Sequence, residues 1–206
     1  MLLDILQSCA DDAKNCKVGI ILGRTEEVVK STGDALGAFG VLPEFRIVES
    51  HSVGIAIPAW AGNRDFDVKA VKISLLGSDN AGTLNYYFCN LDDCWASLVL
   101  NVSKRLGSLC VIVRSSALEA TPNDYVQELT VMKSGARVRV LRVGFDDGWQ
   151  FSNSGIPFPF EDTVRYTRKR IKDRLSRGYI SGLVDQIFQS YSVGGPPFVS
   201  FHFHRQ

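Results

Sequence analysis

Apolar positions along this chain switch repeatedly between a spacing of two and a spacing near 3.6, and the switches mark out its elements. Leu3, Leu6, Ala10 and Ala13 recur at helical spacing, which predicts a short helix over 4–14. Lys17-Val18-Gly19-Ile20-Ile21-Leu22-Gly23 is a short apolar run closed by glycine and reads as a buried strand. Thr25 is placed to cap a helix, with Glu26 and Glu27 in the first turn, where acids favour the positive end of the helix dipole. Val28, Val29, Thr32, Leu36 and Phe39 then follow on one face, and Gly40 supplies a stop.

Strand patterns resume at 45–49 and 53–57, where Pro58 ends the second. Residues 68–76 alternate, with a slip at Ala70-Val71 that suggests a bulge. The turn 78–82 and a strand over 84–89 make this a hairpin. Asp92 is placed to cap a helix carrying Trp95, Leu98, Val99, Val102 and Leu106, ended by Gly107. A strand over 109–113 and a hairpin over 125–132 and 138–143 come next. The return strand sets Arg137 and Arg139 against Val138 and Val140, which predicts that the arginines lie on a wet face. Asp146-Asp147-Gly148 is a turn, and two prolines keep 155–160 extended. Glu161-Asp162-Thr163 opens a helix to about Arg177, and a second helix covers 179–190. The tail over 198–205 alternates like a strand. Hairpins mixed with single helices predict an α+β fold: a mixed or mainly antiparallel sheet, flanking helices and a C-terminal helical pair.

Composition narrows this picture only a little. The chain has 206 residues, 45% hydrophobic and 22% charged, as in ordinary globular proteins. This fits one domain over 1–206, with 161–192 as a candidate helical subregion. No stretch approaches the roughly 18 apolar residues of a membrane span. The opening Met1 to Leu6 lacks a basic region and is interrupted by Asp4, so it does not read as a secretory signal. Cys9, Cys16, Cys89, Cys94 and Cys110 are odd in number and contain no CxxC, which points to a reducing, cytoplasmic setting and to packing or surface thiols. The net charge of +1 hides an asymmetry: residues 1–103 carry 8 Lys/Arg and 13 Asp/Glu, residues 104–206 carry 15 and 9.

The strongest chemical signal is basic. Arg165, Arg168, Lys169, Arg170, Lys172, Arg174 and Arg177 fall within one predicted helix. On such a helix Arg165, Arg168, Lys169 and Lys172 share a face, with Val164, Ile171 and Leu175 as the apolar stripe. That face suits an acidic partner or a phosphate backbone. His202 and His204 share one side of the last predicted strand, but with His51 remote they do not complete a metal site, and no metal is expected. The acid pairs Asp11-Asp12, Glu26-Glu27, Asp92-Asp93 and Asp146-Asp147 mostly sit at helix starts or turns. No nucleophile elbow, zinc-protease helix or phosphate loop is present, so no catalytic residue and no cofactor is assigned. Trp149, Phe151, Phe158 and Phe160 either line a groove or plug the core; the plug is the stronger expectation.

Asp147-Gly148-Trp149, then Gly155-Ile156-Pro157-Phe158-Pro159-Phe160-Glu161, then Tyr166 and the basic stretch, resemble the C-terminal part of small cytosolic bacterial proteins, some of them toxin-neutralising immunity proteins. The resemblance covers 145–177. It implies a cytosolic protein-binding module that occludes a toxin's active site and uses no cofactor. The alternatives are an enzyme whose site is assembled from scattered residues, and a nucleic-acid binder acting through 165–177. No membrane association is expected.

Overall fold

The computed structural model describes residues 15–40, 44–48, 72–78, 84–89, 94–116, 120–189 and 198–204. The expected elements over 4–14 and 53–57, the bulge at Ala70-Val71, Asp92 and residues 79–82 of the expected turn lie outside these residues.

The fold is α+β. Among the described residues nine strands form one sheet: β1 (Asn15–Leu22), β2 (Glu44–Val48), β3 (Lys72–Ser78), β4 (Leu84–Cys89), β5 (Leu109–Ser116), β6 (Val126–Lys133), β7 (Ala136–Phe145), β8 (Trp149–Gly155) and β9 (Phe198–His204). Their order is β2-β9-β3-β4-β1-β5-β6-β7-β8, and every pairing is antiparallel. The tail strand β9 is inserted between β2 and β3, which places His202 opposite Arg46 and Ser74. Three α-helices accompany the sheet among the described residues: α1 (Thr25–Ala38), α2 (Ala96–Leu106) and α3 (Arg177–Gln189).

Alternation sorts the strand residues onto two faces. Ile21, Tyr87, Cys110, Ile112 and Met132 pack under α1 and α2, which contribute Val28, Leu36, Leu98, Val99 and Val102. Val18, Val111, Val113, Val131 and Leu141 face the other way, under α3. Ile180, Leu183, Val184, Ile187 and Phe188 of α3 are buried at the expected helical spacing, each worth about 2 kcal/mol in removed apolar surface. The helix starts differ from expectation, by one residue for α1 and by three for α2, whose N-cap is Trp95 rather than Asp92. Arg24 is the N-cap of α1 and Thr25 is its first residue, with no hydrogen-bond partner for the Thr25 hydroxyl. Trp95, in left-handed conformation, precedes α2 rather than lying within it.

The β6–β7 hairpin corrects the expected wet face. A turn at Ser134 (φ 49°) and Gly135 (φ 83°) joins the strands. Met132 pairs with Arg137, but Val131 pairs with Arg139, so Val138 is an extra, bulged residue. The bulge shifts the phase of everything after it. Val138 is turned outward, while Arg139 is 1% exposed on the core face beside Leu141 and Val143.

The expected helix from Glu161 to Arg177 does not form. Two short 3-10 turns replace it, at Thr163–Thr167 and Ile171–Arg174, so the C-terminal helical pair is one α-helix preceded by an irregular segment. The sequence supplies the reason. An α-helix would set Arg165 beside Lys169, Arg168 beside Lys172 and Arg170 beside Arg174, each like-charged pair costing about 0.2–0.5 kcal/mol. Thr163, Val164, Thr167 and Ile171 are β-branched and add to the cost.

Candidate functional site

The segment 155–176 leaves the edge strand β8 and folds back over the sheet. A buried polar network fixes it there. Arg139 Nε donates to Glu161 Oε1 at 2.8 Å and Arg139 Nη2 donates to Oε2 at 2.6 Å, with both side chains at 0% exposure. Arg139 Nη1 donates to Asn153 Oδ1 at 2.6 Å and to the Ser154 carbonyl at 2.8 Å. Glu161 Oε1 also accepts the Phe158 amide at 3.0 Å, and Oε2 accepts the Tyr166 hydroxyl at 2.7 Å. Because Tyr166 spends its proton on Glu161, the 3.0 Å contact between Tyr166 and Tyr179 is donated by Tyr179, whose oxygen accepts the Asp162 amide.

Burial alone would raise the Glu161 pKa, but the hydrogen bonds from Arg139, Phe158 and Tyr166 outweigh it and hold the carboxyl below its usual range. Burial likewise opposes the Arg139 charge, and Glu161 reverses that, leaving its pKa raised. Burial first, then the hydrogen bonds with Tyr179 and Glu161, keep Tyr166 protonated. Each Glu161 oxygen accepts two hydrogen bonds, so the carboxylate has no acceptor position left for a substrate. The network is a staple. Gly155 belongs to it sterically: its φ is +84°, and a Cβ there would run into the Val138 carbonyl of the bulge.

The basic residues are placed less uniformly than a shared helix face requires. Arg165 Nε donates to the Arg174 carbonyl at 3.1 Å, and its guanidinium lies 4.7 Å from the Tyr179 ring centroid. Arg174 Nε donates to the Arg168 carbonyl at 2.8 Å. Lys172 Nζ sits 4.7 Å from the Tyr125 ring centroid and 5.8 Å from that of Trp149. Arg165 and Arg174 thus satisfy backbone carbonyls of this irregular segment, and Arg165 and Lys172 lie over aromatic rings. Arg168, Lys169 and Arg170 are exposed. Thus, of the expected set Arg165, Arg168, Lys169 and Lys172, the second and third face solvent, while Arg165 and Lys172 are half-buried.

The expected apolar stripe also divides. Leu175 is buried and Ile171 half-buried, but Val164 is 76% exposed. Ile156 is 86% exposed, Phe160 38% and Val138 37%. These four are all but one of the exposed large hydrophobics among the described residues; Ile156, Phe160 and Val164 fall within nine residues of sequence, and Val138 meets the neighbouring Gly155 through its carbonyl. Sequence reading missed Ile156 and misassigned Val164; the only available signal was the flanking Pro157, which keeps that stretch out of regular packing. Of the aromatics, Trp149, Phe151 and Phe158 pack against the core as a plug, and Phe160 stacks on Phe158 at 5.3 Å.

The other candidates stay apart. Cys16, Cys89, Cys94 and Cys110 are buried, and burial pushes the Cys110 thiol up to about 12. Glu26 and Glu27 open α1, and Asp146 and Asp147 form the β7–β8 turn. Cys9, His51, Asp11-Asp12 and Asp92-Asp93 lie outside the described residues. Among the described residues, no group of three or more His, Cys, Asp or Glu is arranged to hold a metal ion, and no helix is long and apolar enough to cross a membrane.

The chain matches no family model, and no curated protein or solved structure shows significant similarity to it. What is established is the class: an α+β protein built on an antiparallel sheet.

Proposed function

We propose that this chain is a cytoplasmic protein-binding module whose contact surface is formed by Ile156, Phe160 and Val164, rimmed by Arg168, Lys169 and Arg170. The observation that carries the reading is the exposure of Ile156 and Val164, at 86% and 76%, on a segment pinned beneath by a fully satisfied network. Scattered surface apolar residues are ordinary, but exposed apolar residues on one pinned segment, followed by a run of exposed cations, have the composition of a protein interface. The rim calls for an acidic partner. A toxin whose active site the module covers is the particular partner we favour, on the resemblance over 145–177.

A photo-crosslinking amino acid placed at Ile156, and separately at the exposed Lys30 of α1, tests this in the source cells. One discrete protein adduct from position 156 and none from position 30 is expected. No adduct from 156, or the same adducts from both positions, overturns the reading. Nucleic-acid binding is the second reading, favoured by three consecutive exposed cations at 168–170. It requires affinity that falls steeply with salt, and no binding to duplex or single strands at low salt removes it.

A further inference from the structure

We infer that the partner engages β8 itself, adding an extended acidic segment to the sheet as a further strand beside the Ile156–Val164 surface. The inference rests on the protein-binding reading and makes it more specific. Among the described residues β8 pairs with β7 alone and is the last strand of its side of the sheet. An edge of this kind presents unpaired amides and carbonyls, and proteins normally blunt it with charge or proline. The opposite edge strand, β2, carries Glu44 and Arg46 within five residues. β8, with the sequence Trp-Gln-Phe-Ser-Asn-Ser-Gly, carries neither charge nor proline.

Its last four residues, Ser152 to Gly155, are all exposed, and although Arg139 Nη1 donates to the Ser154 and Gly155 carbonyls, each carbonyl keeps a second lone pair for an added strand. Asn153 is held by Arg139 and Gly155 rests against the bulge, so the edge is rigid before a partner arrives, which reduces the ordering cost of binding. The strand then leads directly into the exposed Ile156. Strand addition gives affinity through the main chain and specificity through alternate side chains.

Charge selects the occupant. Residues 136–177 hold ten Lys/Arg and five Asp/Glu, and one of each, Arg139 and Glu161, is consumed in the buried pair. Arg142, directly opposite Ser152 on β7, is half-exposed at 51% and shares Glu128, at 3.8 Å, with Arg114, so two cations meet one carboxylate there. A second β8 would bring two such basic surroundings together, so self-pairing is disfavoured and an acidic strand is favoured.

The test uses the full chain and a fluorescent peptide, Glu-Val-Asp-Ile-Glu-Val-Asp, which matches β8 in length. Three titrations at low salt follow its anisotropy: the parent peptide, a version N-methylated at alternate amides, and a version with lysine at every acidic position. Saturable binding of the parent, a loss of at least about tenfold on N-methylation from the missing main-chain bonds, and no binding of the basic version are expected. Amide exchange over 150–155 should slow when the parent binds. Equal binding of the N-methylated peptide overturns strand addition; if I156D still weakens that binding, the surface reading survives by itself. No saturable binding of the parent also overturns strand addition, and the crosslink at position 156 then judges the surface reading separately. A concentration-dependent dimer with slowed exchange over 150–155 in the free chain makes a second copy the occupant and overturns the acidic segment.

Discussion

The two faces of the sheet are covered by different means. Under α1 and α2 the cover is regular helix, and its contacts are almost wholly apolar: Val28, Leu36, Leu98, Val99 and Val102 on Tyr87, Cys110 and Ile112. On the other face α3 covers only part, and the remainder is the irregular 155–176 segment. A helix satisfies its own backbone and needs only an apolar stripe to dock. An irregular segment brings backbone groups with no built-in partners, so it must import them. Here the imports are arginine and glutamate side chains: Glu161 for the Phe158 amide, Arg165 for the Arg174 carbonyl and Arg174 for the Arg168 carbonyl. The difference teaches that a dense run of positive charge can be a set of backbone partners before it is a binding face.

That contrast can be broken most directly at Glu161. Glu161→Gln leaves the buried Arg139 charge uncompensated and should cost about 3–5 kcal/mol in urea unfolding, whereas the double variant Arg139→Met/Glu161→Leu should recover much of the loss. A cost below about 1 kcal/mol for Glu161→Gln would show that the segment does not depend on its polar staple. On the helical face the comparable blow is a cavity. Leu98→Ala should cost about 3 kcal/mol by the same measurement, with amide exchange rising first in α1 and α2. Equal acceleration in α3 would mean the two layers do not behave separately. Gly155→Ala should cost about 2 kcal/mol, through left-handed backbone and collision with the bulge at Val138. Val138→Gly should not rescue it, because the colliding group is a main-chain carbonyl.

Titration separates the faces more gently. The folded pKa of Glu161 lies below its unfolded value of about 4.3, so its contribution is present above that pH and is lost as pH falls through the folded value. Glu161→Gln should therefore flatten the acid limb of the stability profile. Cys110 and Tyr86 are raised, from 9.0 and 10.0, to about 12 each, mainly by burial. Their contributions are complete below those ordinary values and are lost as pH rises toward about 12. Cys110→Ser should alter the alkaline limb and leave the acid limb unchanged. The smallest effect is expected where neither layer is touched. Lys30→Ala breaks a solvated pair with Asp34 and should change stability by no more than about 0.5 kcal/mol.

Legibility in the sequence followed regularity. β1, α1, the β3–β4 pairing, α2, β5, the β6–β7 hairpin, α3 and β9 all carry a clear period, and each was readable to within a few residues. The failures lie together in the polar-stapled layer. Alternation places Arg139 on a wet face because it cannot register a bulge, which inserts a residue without altering composition. The stretch 161–177 has helical apolar spacing at Val164, Ile171 and Leu175, but the like-charge cost of that helix outweighs it. Ile156 carries no periodic signal, since one isoleucine between a glycine and a proline has no periodic neighbours; only the flanking Pro157 marks it.

The sequence by itself determined the α+β class, the identity of most elements and the sign of the charge on the C-terminal half, because these depend on local spacing and on counts. Only the tertiary structure decided that β9 enters between β2 and β3, that Arg139 and Glu161 meet, and that Val164 faces outward. Those outcomes depend on pairings between distant residues and on the register at one bulge, and neither has a local signature in the chain.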